Sequence, residues 1–128
     1  MEDLYNISFK IKNDQQVGFL LDDFDTFLLL EKFLLKNNYH WYSMKYNVEL
    51  YISYKIKIQN NFSNNNKCIV FLNYEIPNEN RIIVFSMDNN LINKSDIYLN
   101  KLNFNKIINN IFNIKPNYDP KSYNKRIL

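Results

Sequence analysis

From His40 to Ile58 the chain alternates without a break. The even positions are His40, Tyr42, Met44, Tyr46, Val48, Leu50, Ile52, Tyr54, Ile56 and Ile58. The odd positions carry Trp41, Ser43, Lys45, Asn47, Glu49, Tyr51, Ser53, Lys55 and Lys57. A strict period of two predicts a β-strand with one buried and one wet face. Such a strand is long. At ~3.3 Å per residue, nineteen residues span about 60 Å. A domain of this size is only roughly 35 Å across. The strand must therefore bend around the body, project from it as an arm, or divide. A two-residue hairpin would break the parity, so division near Asn47 needs a three-residue loop or a bulge. A single long bent strand over about 40–58 is the expectation.

The flanking sequence supplies its companions. Leu4 to Lys12 also alternates, with Tyr5, Ile7, Phe9 and Ile11 on one face; it reads as an N-terminal strand. Gly18, the only glycine, is assigned to a positive φ in the connection that follows. Asp22 or Asp23 can cap a helix over about 22–37. Its apolar stripe is Phe24, Phe27, Leu28, Leu30, Leu34 and Leu35, with Asp25, Thr26, Lys32 and Lys36 opposite. Leu29 and Phe33 fall on the polar side, and Glu31 falls inside the stripe. A carboxylate there requires a partner, such as a Tyr or a Lys, or a raised pKa.

Asn60 to Asn66 reads as a loop. Lys67 to Ile76 is a strand apolar on both faces, hence central. Pro77 to Asn80 turns it, and Arg81 to Met87 returns. Ile97 and Leu99 fit either a short edge strand or part of a short helix. Phe104, Ile107, Ile108, Ile111 and Phe112 recur at helical spacing and predict a C-terminal helix over about 104–114, capped by Asn103. The fold class is therefore α+β: an antiparallel β-meander, an N-terminal strand, one packed helix and a C-terminal helix. Residues 1–116 form one domain, and 117–128 a loose tail. The order of strand, helix and meander loosely resembles the cystatin or helix-grip layout. The glutamine-valine-glycine signature of cystatins does not occur in the 60–66 loop.

Composition bears on function mostly by exclusion. Asn, Ile, Lys, Tyr and Phe dominate, Ala is absent, and Lys outnumbers Arg fourteen to two. These residues share AT-rich codons, so an AT-rich genome, phage and large virus genomes included, accounts for the bias. One glycine cannot build a phosphate-cradling loop. One His and one Cys do not make the usual zinc site, and no cofactor or metal is expected. Asp22, Asp23 and Asp25 could hold Mg²⁺ but are better explained as a helix N-terminus. The net charge of +3 neither demands nor excludes a polyanion. A leader at Met1–Tyr5 and a spanning helix are both unsupported, so a cytoplasmic protein without a membrane partner is expected.

Three functional readings follow. The odd face of the long strand carries Trp41, Lys45, Tyr51, Lys55 and Lys57, with Glu49 among them. Aromatic anchors of this kind suit a protein interface. The favoured reading is a small non-enzymatic inhibitor or neutralising factor, of the immunity-protein or phage or virus anti-defence type, acting on a host or cognate protein. The same face suits nucleic acid, with rings stacking on bases and lysines meeting phosphates. The third reading is a small enzyme using His40, Glu31 or Cys68. An exposed strand edge also permits oligomerisation.

Overall fold

The computed structural model describes residues 3–42 and 48–112. The elements in chain order are α1 (Leu4–Lys12), β1 (Val17–Leu21), α2 (Phe24–Lys36), β2 (His40–Trp41), α3 (Val48–Ser63), β3 (Cys68–Leu72), β4 (Ile82–Ser86), α4 (Asn89–Ile92), β5 (Ile97–Leu99) and α5 (Phe104–Phe112).

The two alternating stretches do not form the expected strands. A period of two contains the helical step i, i+4, and one added step of three turns it into a helix face. In the first stretch Leu4, Ile7, Ser8 and Ile11 supply that face. Ile7, Ser8 and Ile11 are buried, while Tyr5 and Phe9 are more than half exposed. The Asp3 carboxylate accepts from the amides of Tyr5 and Asn6 at 3.1 and 3.2 Å and caps the helix. The expected N-terminal strand is thus α1.

The long bent strand expected over 40–58 is corrected in the same way. Only His40 and Trp41 are strand, and the chain is helical from Val48. Tyr51, Lys55, Ile58 and Phe62, spaced i, i+4, i+7 and i+11, turn inward; Ile58 and Phe62 are buried. A helix rises 1.5 Å per residue, so the sixteen residues of α3 span about 24 Å. That fits within the body, which a 60 Å strand does not.

The sheet is mixed, in the order β2-β4-β3-β1-β5. β3 runs antiparallel to both β1 and β4, whereas β1–β5 and β2–β4 are parallel pairs. The expected antiparallel meander survives only as the β3–β4 pair around the Pro77 turn. Its departure has two causes. β1 was not recognised as a strand, because Val17-Gly18-Phe19-Leu20-Leu21 carries no alternation. A strand covered on both faces reads as a continuous apolar run, and four of these five residues are buried. β1 then inserts between β3 and β5 and pairs with β5 in parallel. With α1 in first place and a mixed sheet, the cystatin-like layout does not hold.

Gly18 is needed for space and not for a positive φ. No glycine of the chain has a positive φ. A Cβ on Gly18 would lie 3.0 Å from the Ile69 Cδ1 and 3.1 Å from the Phe71 Cε1 on β3. The left-handed positions fall instead on Asp14, Asn38, Asn65, Asn73, Asn78 and Arg81. Asparagine tolerates that region best after glycine, so a glycine-poor chain uses it there.

Helices α1, α2, α3 and α5 share one core with the sheet face that carries Val17, Phe19, Leu21, Val70 and Ile83. α2 occupies nearly its expected span. Asp23 caps it, accepting from the Thr26 amide at 2.7 Å and the Thr26 hydroxyl at 2.9 Å. Thr26, expected on the wet side, is therefore fully buried. Phe33 meets Phe112 of α5 edge-on at 4.8 Å, while Leu29 stays exposed. Asn103 does not cap α5 with its side chain; its Oδ1 accepts from the Asn100 backbone amide and its Nδ2 donates to the Tyr98 carbonyl, while its own backbone amide donates to the Asn100 Oδ1. Among the described residues no helix is long and apolar enough to cross a membrane. Lys45, the end of the helix expected to 114 and the tail expected from 117 lie outside the described residues.

Candidate functional site

Three of the residues that sequence reasoning grouped on one exposed face, Trp41, Tyr51 and Lys55, meet at Glu31 on the inner side of α3. Glu31 lies on α2 at 7 % exposure, facing β2 and α3. Its Oε2 accepts from the Trp41 Nε1 at 2.9 Å and from the Tyr51 hydroxyl. Its Oε1 accepts from the Lys55 Nζ at 2.8 Å. Lys55 also donates to the Tyr51 hydroxyl at 3.3 Å, because the two stand one turn apart on α3. One carboxylate thereby ties three elements together, and the buried charge has the partners it needs.

The electrostatics follow from that arrangement. Burial and the Glu31 carboxylate both raise the Tyr51 phenol above its ordinary value. Burial tends to lower the Lys55 ammonium, but the hydrogen bond and charge of Glu31 outweigh it and leave it raised. Both groups are held in their protonated forms. Neither is tuned toward giving up a proton near neutrality, as a catalytic acid or base would be.

Trp41 is 2 % exposed. Phe27 stacks on it at 5.8 Å, Phe85 meets it edge-on at 5.8 Å, and Tyr51 tilts against it at 6.3 Å. Its ring is thus committed to the core and offers no face on which a base could stack. Of the five residues expected to make contact, Trp41, Tyr51 and Lys55 converge on Glu31. Lys57 lies apart, with its Nζ 5.7 Å from the centre of the Tyr54 ring. Lys45 is outside the described residues.

The groups named for catalysis are not brought together. Val84 pairs with Phe71 and His40 with Ile82, so His40 aligns with the Asn73 end of β3. Cys68 begins β3, about 17 Å further along and two strands away. Burial pushes the Cys68 thiol up to about 12, which makes it inert as a nucleophile near neutrality. The three acidic residues at the start of α2 have separate uses. Asp23 is the cap, Asp22 accepts from the Tyr98 hydroxyl at 2.8 Å, and Asp25 pairs with Lys101 at 3.2 Å. Among the described residues no group of three or more His, Cys, Asp or Glu side chains is placed to hold a metal ion.

Several apolar side chains face solvent beside the Glu31 cluster, among exposed polar ones such as Glu49, Ser53 and Gln59. Tyr42 is 42 % exposed, Leu50 40 %, Ile52 52 % and Ile56 55 %. On α3, Ile52 and Ile56 stand one turn apart on its outer side. Between α3 and the β2–β4 edge opens a cleft of about 370 Å³, whose walls include Trp41, Tyr42, Tyr54, Phe85 and Met87, with Lys57 among them. Phe85 packs edge-on against Tyr54 at 5.5 Å. Sequence reasoning missed Ile52, Ile56 and Tyr54 as surface residues because alternation placed all three on a buried strand face. A helical projection of 48–63 separates Ile52 and Ile56 from Ile58, while Tyr54 stays on the Ile58 side and is half-buried. No family model, curated protein or solved structure matches the chain.

Proposed function

We propose that this protein is a small non-enzymatic binding protein that inhibits or neutralises a protein partner, in the manner of an immunity protein or a phage or virus anti-defence factor. The observation that carries this reading is the concentration of exposed apolar side chains on one segment. Tyr42, Leu50, Ile52 and Ile56 lie within fifteen residues, on α3 and beside the aromatic cleft. Ile52 and Ile56 adjoin on one flank of α3, and apolar side chains that adjoin on a surface mark contact sites more often than scattered ones do. The expected contact surface therefore shifts from the odd residues of 41–57 to the Ile52–Ile56 flank of α3. Support for binding over catalysis comes from the Glu31 cluster, whose polar groups are spent on one another.

The test is affinity capture from cells of the source, comparing the natural chain with the Ile52→Glu, Ile56→Glu double variant. A stoichiometric protein recovered by the first and lost by the second supports the reading, provided circular dichroism shows both folded. Recovery of nucleic acid that disappears at high salt would replace it with the polyanion reading.

A further inference from the structure

The cleft between α3 and β4 has a chemistry of its own. Among the described residues its walls are aromatic and aliphatic apart from Ser86, and Lys57 is the only charged residue lining it. Lys55, two positions away, is neutralised by Glu31. Lys57 is different: among the described residues no carboxylate pairs with it, and its ammonium rests over the Tyr54 ring. The cleft thus joins an apolar recess to a cation that no described carboxylate pairs with. Its volume of about 370 Å³ lies at the small end of ligand sites and suits one large side chain better than an extended ligand.

We infer that this cleft receives an aromatic side chain of an acidic peptide segment, with a neighbouring Asp or Glu of that segment pairing with Lys57. The occupant belongs to the partner, so the inference rests on the binding reading above. Charge complementarity selects an acidic segment over a basic one, since a lysine or arginine beside the ring would face Lys57 at close range. A nucleobase is a poorer occupant, because the buried Trp41 has no ring face left for stacking. Tyr54 already carries Phe85 on its edge and Lys57 over its face.

Trp41 is the only tryptophan and lines the cleft, so its emission reports occupancy directly. The probe is an acetylated, amidated hexapeptide with a central phenylalanine flanked by aspartates. Two controls replace the phenylalanine by alanine or the aspartates by lysines. Saturable change in Trp41 emission is expected with the acidic phenylalanine peptide. Binding should weaken tenfold or more with the alanine control, which removes most of the buried apolar area. Lys57→Gln should reduce acidic binding by roughly two- to fivefold, and Lys57→Glu should reverse the preference toward the lysine peptide. Lys57 is exposed, so both variants are expected to fold, which circular dichroism checks. Failure of the acidic peptide to bind, or equal binding of the acidic and lysine peptides, overturns the inference. So does a Lys57→Glu variant with unchanged preference. Capture that depends on Ile52 and Ile56 is a separate readout. If it succeeds while the peptides fail, the binding reading stands and the cleft loses its role.

Discussion

Glu31 occupies a position where the helical pattern calls for an apolar side chain, and its neighbours explain why it is tolerated. Trp41 and Tyr51 bring polar atoms attached to large apolar rings, and Lys55 brings a charge on an apolar stem. Each can fill core space and still present a donor to the carboxylate. That Glu31 needs either a partner, such as a Tyr or a Lys, or a raised pKa was legible in the sequence from the stripe alone. The identity of the partners was not, because Tyr51 and Lys55 had been placed on a strand. Removing the acceptor leaves the Trp41 N–H unpaired in the interior and the half-buried Tyr51 O–H without its acceptor. Glu31→Ala is therefore expected to cost about 3 kcal/mol, at the low end for a broken buried pair because Lys55 is 31 % exposed and can reach water. Tyr51→Phe should cost about 1 kcal/mol, the worth of one hydrogen bond. Urea unfolding of the two variants checks the ranking, and equal costs would mean that the carboxylate is not the hub.

The element that most divides expectation from outcome is α3. Val48 to Ser63 satisfies a period of two and a period of 3.6 at once, because isoleucines and tyrosines recur on both sides. Local sequence cannot choose between them; the size of the body does, since only the helix is short enough. The same overlap misled the reading of α1. By contrast, α2 and α5 were legible because most of their apolar residues occupy one stripe, Leu29 and Phe33 of α2 excepted, and no alternating set competes. β3 and β4 were legible through the Pro77 turn and their apolar runs, whereas the first half of the loop expected over Asn60–Asn66 is the last turn of α3, held there by the buried Phe62. The two faces of α3 should respond differently to substitution. Ile58 is 1 % exposed in the shared core, so Ile58→Ala should destabilise by about 2–4 kcal/mol. Ile52→Glu, at 52 % exposure, should change stability by no more than about 0.5 kcal/mol while removing partner contact. Thermal unfolding separates them, and a large loss from Ile52→Glu would place that residue in the core.

At the scale of the whole molecule, the shifted groups among the described residues act in one direction. Cys68 is raised from 9.0 to about 12 by burial, and Tyr39 is raised by burial against the opposing pull of Arg81. Tyr51 and Lys55 are raised in the Glu31 cluster. A raised pKa means that the folded chain keeps protons the unfolded chain releases. The stabilisation is fully present below the unfolded values, which begin at 9.0 for the thiol, and is lost as pH rises past them. The urea midpoint should therefore fall steadily above about pH 9. Cys68→Val should flatten the first part of that fall, and an unchanged slope would remove the thiol from the account. Strand order was the least legible property at this scale. β1 carries no mark that assigns it to β3 on one side and β5 on the other. That placement sets a schedule for synthesis. β1 emerges early, yet its neighbours arrive some fifty and eighty residues later, and α1 shares its core with α5, the last described helix. At ~5–20 residues per second, the first three elements wait several seconds on the ribosome with their apolar faces uncovered. The nascent chain is then a client for any holdase near the exit tunnel, and slower translation would lengthen that exposure.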